Sequence, residues 1–593
     1  MKRVAIFPLK SLKNFMSLKG YFIKNKWALA AGLFSLLVVD FLQLWIPLII
    51  KRVIDALTQK TASAHLLIQY GLIIMLIALV IALFRYLWRY FLFGHSRKVE
   101  EALRNRLYSH LQTLSISFYL RTKTGDLMAR AINDLNAVRM ATGMGLVALT
   151  DGLVMGVAAI GFMVTIDLRL TLISLIPAPL IIILTRVLTR RMSSGYEKVQ
   201  RTFSDLTERV REAFAGIRVV KAYTGESWEY KKVEDEGRKY ISENMQLART
   251  IGFFFPLMAI FNNLGMAIVI FWGGRLAILG HISTGDFVAF IGYLNLLAWP
   301  MMAMGWVTNL IQRGSVSMRR INHILEEIPE MADKVDSKEP SKIRGDISLR
   351  GLRFTYPDTK RAVLEDVTLH IEAGMTVAFV GRVGSGKTTL LYTIPRLLNV
   401  PAGMVFVDGV DISLMPLKKL RENIGFVTQE TILFSATIRD NVLFGRNDIH
   451  EERLIPALRM AHIYDEILTF QRRLDTLVGE KGITLSGGQR QRLTIARALL
   501  SDPQILIMDD ALSMVDTRTE EEILNGILES RKGKTTLIVS HRISTIQRAD
   551  LIVVLDRGRL IETGDHGRLM RSGQEYARIY ERQILAQELE LGD

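Results

Sequence analysis

The sequence predicts an α-helical transmembrane bundle, six spans with long cytoplasmic helical extensions, followed by a C-terminal α/β domain of the P-loop type. Three observations carry this reading. Six apolar stretches long enough to cross a bilayer all lie before residue 315. Lys and Arg concentrate in the N-terminal segment and in the two long connections between stretches. Beyond residue 345, β-rich and helical runs alternate around the glycine-rich segment GRVGSGKTT.

A chain of 593 residues, 49% of them apolar, exceeds one hydrophobic core and is too apolar for a soluble enzyme of that size. It has no cysteine, which excludes disulfides and thiolate metal sites. Crossing roughly 30 Å of hydrocarbon takes about 20 helical residues. On that basis the spans are expected near 27–50, 66–93, 141–165, 168–188, 251–272 and 287–311. Pro47, Pro177, Pro179, Pro256 and Pro300 fall in or at the ends of these stretches, where neighbouring helices tolerate them.

The net charge of +16 is explained by where it sits. The first 26 residues hold 7 Lys and Arg, connections 94–140 and 189–250 hold 8 and 13, and the three short connections together hold 4. By the positive-inside rule the long connections and both termini are cytoplasmic. The basic excess is therefore a topology signal, and no nucleic-acid partner is expected. The expected location is a bacterial cytoplasmic (inner) membrane.

Val99, Leu103, Leu107, Leu111 and Leu114 recur at helical spacing, as do Val199, Phe203, Leu206, Val210, Phe214 and Ile217. Each long connection is thus a helical hairpin extending the spans into the cytoplasm. Segment 1–26 is basic and mildly amphipathic and suits an interfacial helix on the inner leaflet. A transmembrane domain is expected over 27–320. Residues 321–345 turn polar and read as a linker, and 346–593 as a separate α/β domain.

Within that domain GRVGSGKTT follows the apolar strand Val377–Val380 and precedes a helical run, the context a phosphate-binding loop requires. Gly381, Arg382, Val383, Gly384, Ser385 and Gly386 supply a loop whose backbone N–H groups turn toward phosphates. Lys387 neutralises the outer phosphates, Thr388 ligates Mg²⁺ and Thr389 continues into the helix. Farther on, strand Ile505–Met508 ends in Asp509 and Asp510. Such acids hold Mg²⁺ through water and polarise an attacking water; alone they more often cap a helix, and the phosphate loop reverses that reading.

LSGGQRQRLTIARALL, starting at Leu485, lies between the two. With six spans ahead of it, the chain resembles the exporters of the ATP-binding-cassette (ABC) family, of the half-transporter, multidrug type. The resemblance implies ATP and Mg²⁺ as cofactors. It implies Tyr356 as the aromatic against adenine, Gln429 as the link from Mg²⁺ to the membrane helices, and Glu480 as part of a cross-talk loop. It also implies Ser513 to Asp516 as the loop reaching a partner's site and His541 as the sensor of the γ-phosphate. Taken alone, Tyr356 is a strand residue and His541 a satisfied polar group. Asp509, Thr388 and Gln429 would form the metal side of the site; Asp510, His541 and Gln429 the catalytic side. In this family ATP is sandwiched between the loop of one cassette and the signature of another, here Leu485, Ser486, Gly487, Gly488 and Gln489. A second subunit is therefore implied. The tips near 122–126 and 215–224 are the expected coupling elements, the second docking on the partner's cassette.

The family's pattern has glutamate where this chain has Asp510. One methylene shortens the arm by about 1.5 Å, so this site is expected to bind ATP and hydrolyse it poorly. The partner that solves this is a second half-transporter carrying glutamate, a heterodimer; the alternative is a slow homodimer. For cargo, small amphiphilic or lipophilic compounds are expected, with membrane lipids in contact. Asp40, Asp151, Asn262 and Asn263 lie in apolar stretches and are expected to face the bundle interior, joined by Trp299, Met302 and Trp306 as an adaptable surface. A lipid or lipopeptide flippase uses the same machine, and an ATP-gated channel is a remoter alternative.

Overall fold

In the computed structural model, residues 13–331, 333, 340, 342–357, 359, 361–446, 449, 451–540 and 542–591 are described. The chain divides into two compact units. One comprises residues 1–112 and 125–327; the other comprises 113–124 and 328–593.

The first unit is helical. Among the described residues four of its helices are long and apolar enough to cross a membrane: Lys26–Thr58, Ala64–Thr113, Thr124–Ile166 and Leu168–Ala215. The other two expected spans fall within helix Glu226–Ile268 with its continuation to Ile278, and helix Thr284–Leu325. Leu72, Met75, Leu76, Leu79 and Leu83 on the second helix are exposed, as a face toward hydrocarbon must be. Single π-turns interrupt the helices at Arg89–Phe93, Arg130–Asp134, Ala141–Gly145 and Val269–Gly273.

Local sequence sets the helix ends. Asp167 caps the helix that starts at Leu168 by accepting the Leu170 N–H at 2.6 Å, which makes a one-residue turn sufficient there. Ser283 and Asp286 form a capping box at Thr284, and Asp286 also pairs with Lys51 of the first helix at 2.5 Å. Next to Pro47, the Tyr293 hydroxyl donates to the Leu44 carbonyl at 3.1 Å, a polar bond buried between the first and last helices. Asn14 donates to Ser315 Oγ at 2.9 Å and Leu18 is fully buried, so helical turns Asn14–Leu18 and Lys19–Lys24 pack on the bundle. Residues 1–12 of the expected interfacial helix lie outside the described residues.

The second long hairpin consists of helices Pro177–Ala215 and Glu226–Ile268, joined by the short helix Ile217–Ala222. Phe214, Val219 and Tyr223 at its tip are largely exposed.

In the second unit a six-stranded sheet runs in the order Arg559–Gly564, Leu551–Asp556, Thr376–Val380, Thr535–Val539, Ile505–Asp509, Ile424–Val427. All pairings but the first are parallel. Both faces are covered, and the alternation is visible within one strand. Ile505 and Ile507 enter a core with Val377, Phe379 and Val539, whereas Leu506 and Met508 enter another with Leu493 and Ile538. A four-stranded antiparallel sheet, ordered Leu364–Ile371, Ile347–Phe354, Val405–Val407, Val410–Asp411, completes the domain.

Candidate active site

In a parallel sheet every strand ends on the same edge, and ligands bind beyond the carboxyl ends. Strand Thr376–Val380 delivers the loop 381–386, Ile505–Asp509 delivers Asp510, and Ile424–Val427 delivers Gln429. Thr535–Val539 delivers Ser540; His541 lies outside the described residues. The four segments that the motifs single out are therefore brought to one edge by topology alone.

The glycines of the loop are required by its backbone. Gly384 and Gly386 sit at φ of 80° and 102°, where a side chain is strained. A Cβ on Gly381 would lie 2.2 Å from the Leu555 carbonyl. Lys387 folds back over the loop and donates to the carbonyls of Gly381 at 2.7 Å and Arg382 at 3.0 Å. Burial pushes its ammonium below the ordinary lysine range, opposed by the carboxylates of Asp509 and Asp510. A phosphate chain entering the loop would replace those carbonyls as the partner of the charge. Ser385 is buried and its hydroxyl has no partner among the described residues, whereas Val383 is exposed. Arg382 leaves the loop outward and pairs with Glu575 at 3.0 Å.

Thr388 Oγ1 donates to Asp509 Oδ1 at 3.2 Å. A hydroxyl and a carboxylate thus converge beneath the loop, an oxygen donor set of the kind a hard divalent cation takes. Asp510 stands at φ of 48° and its amide donates to the Val539 carbonyl at 3.0 Å. Gln429 Nε2 reaches Asp510 Oδ2 only at 3.5 Å. Tyr356 packs edge-on against Phe354, and its hydroxyl lies 3.2 Å from Thr389 Oγ1, so its ring is held beside the phosphate loop. Thr389 itself is buried.

The signature segment forms a second face. Ser486 Oγ accepts the Gln489 amide at 3.2 Å while Gln489 Oε1 accepts the Ser486 amide at 2.9 Å, a capping box that starts helix Gly487–Leu499. Leu485 is buried beneath it. A Cβ on Gly488 would meet the Met514 carbonyl at 3.0 Å, so the glycines let the 510–516 loop approach. Gln491 locks that approach, donating to Ser513 Oγ at 3.1 Å and accepting the Met514 amide at 2.8 Å. Ser513 in turn donates to the Asp510 carbonyl at 3.1 Å. Asp516 caps helix Thr517–Ser530 through the Thr519 amide at 2.9 Å. Glu480 lies in the turn Glu480–Gly482 ahead of the signature.

Sequence reasoning missed Gln491, Glu520 and Arg542. Glu520 is fully buried, accepts from Thr545 Oγ1 at 2.8 Å and pairs with Arg542, which also donates to the Val515 carbonyl at 2.9 Å. Burial pushes its carboxyl up in spite of these donors. This brace ties the loop after Asp509 to the loop after Val539. The second glutamine of LSGGQRQ was the available signal for Gln491; the brace has none, since its partners are joined only by the fold.

Two family models match the chain: the ABC transporter transmembrane region over residues 29–301 and the ABC transporter over residues 364–513. A probable multidrug resistance ABC transporter ATP-binding/permease protein of Bacillus subtilis (strain 168), YheI, is 35% identical over 95% of this chain and 97% of its own. This chain belongs to the ABC transporter family. The multidrug resistance-like ATP-binding protein MdlA of Escherichia coli (strain K12) is 36% identical over 92% of both chains. An ATP-dependent lipid A-core flippase of Syntrophus aciditrophicus (strain SB) is 35% identical over 82% of this chain and 81% of its own. Among solved structures, a bacterial Atm1-family ABC exporter with ATP bound superposes with a TM-score of 0.79, at 28% identity, covering 94% of this chain and 98% of that one. The ABC fold seen here, a helical transmembrane domain followed by an α/β nucleotide-binding domain, is that of the Atm1-family exporter. The chain is an integral membrane ABC exporter whose cassette binds ATP and couples its hydrolysis to transport.

In the membrane domain, the acids and tryptophans singled out as an ABC cargo surface fall into two groups. Asp40 is buried, Asp151 is half-buried, and Trp299 donates to Asp151 at 3.1 Å. Trp299 and Trp306 are exposed on the single subunit. Asn263 is exposed on the single subunit as well. Its helix packs along Pro177–Ala215. The side chains of Asn262 and Met302 lie outside the described residues.

Proposed function

We propose that this chain is one subunit of a heterodimeric exporter of amphiphilic or lipophilic compounds, and that its own P-loop site holds ATP and hydrolyses it poorly. The observation that carries the reading is Asp510. Its short carboxylate touches Gln429 only at 3.5 Å, at the limit of a hydrogen bond. A residue that must polarise a water has to be placed within a fraction of an ångström, and about 1 Å of misplacement costs around a hundredfold. The signature face has no such defect: Ser486, Gly487, Gly488 and Gln489 are pre-arranged at a helix start for a nucleotide held by another cassette.

ATP would then close the two cassettes, and hydrolysis at the partner's site would reopen them, moving the bundle between inward and outward states. Thr388 and Asp509 would hold the Mg²⁺ that neutralises phosphate charge, with Gln429 beside it. The exposed apolar tip at Phe214, Val219 and Tyr223 supports a docking role on the partner. The multidrug names of two relatives support amphiphilic cargo. The relative named a lipid A-core flippase favours lipid as a second reading, for which the ATPase would depend on lipid composition.

The test is to purify the chain from its own cells and identify the co-purifying subunit. A half-transporter with glutamate after its Walker aspartate is expected. A homodimer with brisk ATPase that Asp510→Asn leaves undiminished would reject the proposal.

A further inference from the structure

Asp40 lies within the first long helix and is 1% exposed. Among the described residues neither of its carboxylate oxygens has a hydrogen-bond donor. The group that acts on it is a second carboxylate, Asp151 of helix Leu146–Ile166, within hydrogen-bond reach. Asp151 Oδ2 accepts Nε1 of Trp299, from helix Thr284–Leu325, at 3.1 Å.

Among the described residues the surroundings supply no cation. On the second helix Arg85 is exposed, as is Arg89 just after it. Lys51, eleven positions along from Asp40, is already paired with Asp286 at 2.5 Å. His95 packs edge-on against Phe22. Two ionised carboxylates present acceptors only, so at hydrogen-bond distance they repel and leave every lone pair of Asp40 unmet in an apolar bundle. One proton removes both defects. Asp40 then donates an O–H to Asp151, Asp151 keeps the indole N–H on its other side, and the pair carries one negative charge in place of two.

We propose that Asp40 and Asp151 form a proton-binding pair inside the membrane domain, with Trp299 fixing the acceptor. Proton uptake is the whole step: a carboxylate oxygen gains H⁺ from water, and no other bond is made or broken. The three residues stand on three helices, so a movement that parts Asp40 from Asp151 leaves a buried carboxyl without its acceptor and shifts its proton equilibrium. The bundle's rearrangement is thereby linked to proton release or uptake. This holds for either dimer and any cargo.

The test is infrared difference spectroscopy of the full-length protein in lipid, without nucleotide, titrated from neutral to alkaline pH. A protonated carboxyl C=O band, shifted in D₂O, is expected at neutral pH, lost on alkalinisation and absent from Asp40→Asn. Asp151→Ala should keep that band and move it to higher frequency, because the O–H has lost its acceptor; this variant decides the matter should Asp40→Asn fail to fold. Identical spectra for the wild type and Asp40→Asn would overturn the proposal. So would a band that is absent at neutral pH while Na⁺ or K⁺ raises the unfolding midpoint only when Asp40 is present, since the pair would then hold a metal cation.

Discussion

Lengthening the acid at 510 is expected to convert a holding site into a hydrolysing one. Asp510→Glu advances the carboxylate by about 1.5 Å, and recovering about 1 Å of placement is worth up to around a hundredfold, or roughly 2.7 kcal/mol of barrier. The opposing effect is conformational. Residue 510 stands at φ of 48°, a region that costs an ordinary L-residue roughly 1–2 kcal/mol and is more readily occupied by Asp. That cost falls on the folded protein before and during the reaction alike, so it lowers stability without subtracting from the rate gain. Among the described residues the side-chain hydrogen bond at stake is the 3.5 Å approach of Gln429, which is too long to offer much resistance. Phosphate release by the purified chain at saturating ATP should therefore rise about 10- to 100-fold in Asp510→Glu, while Asp510→Asn stays near the low wild-type rate. Asp510→Glu with intact ATP binding and no gain would refute the argument that arm length limits this site.

Two further outcomes follow from the site's two faces. Ser486→Ala removes a helix cap worth about 1 kcal/mol; turnover of the assembled pair should fall while ATP affinity at this chain's own loop, read by equilibrium binding, is unchanged. Asp516 owes its depressed carboxyl pKa to the Thr519 amide, so its contribution is present above the ordinary value of 3.8 and is lost as pH falls through the lower folded value. Asp516→Asn keeps an acceptor for the cap, so its unfolding midpoint should approach the wild type's below about pH 3.8 and trail it most at neutral pH.

Much of the ABC architecture was legible because its signals are local. Apolar run length announces spans, Gly384 and Gly386 announce a loop with left-handed backbone, and alternating apolar runs announce a sheet. Ser486 with Gln489 three residues later is a helix start readable from spelling alone. What could not be read is pairing across sequence. Glu520 and Arg542 are ordinary charged letters until the fold buries one against the other. Arg382 was read only as a nucleotide-binding residue of the loop, and its tie to Glu575, almost two hundred residues on, has no local trace. Asp40 and Asp151 each stood out as an acid in an apolar stretch, yet their proximity belongs to helix packing. Asn263 stood out for the same reason and is exposed on the single subunit.

The hydrogen-bond chain from Gln491 through Ser513 to the Asp510 carbonyl gives the cassette an internal wire. In the dimer proposed above, whatever a neighbouring nucleotide did to the helix beginning at Gly487 would reach the acid beside this chain's own phosphate loop through these two bonds. Two ATP sites in a closed dimer would then sense each other's occupancy before either has reacted.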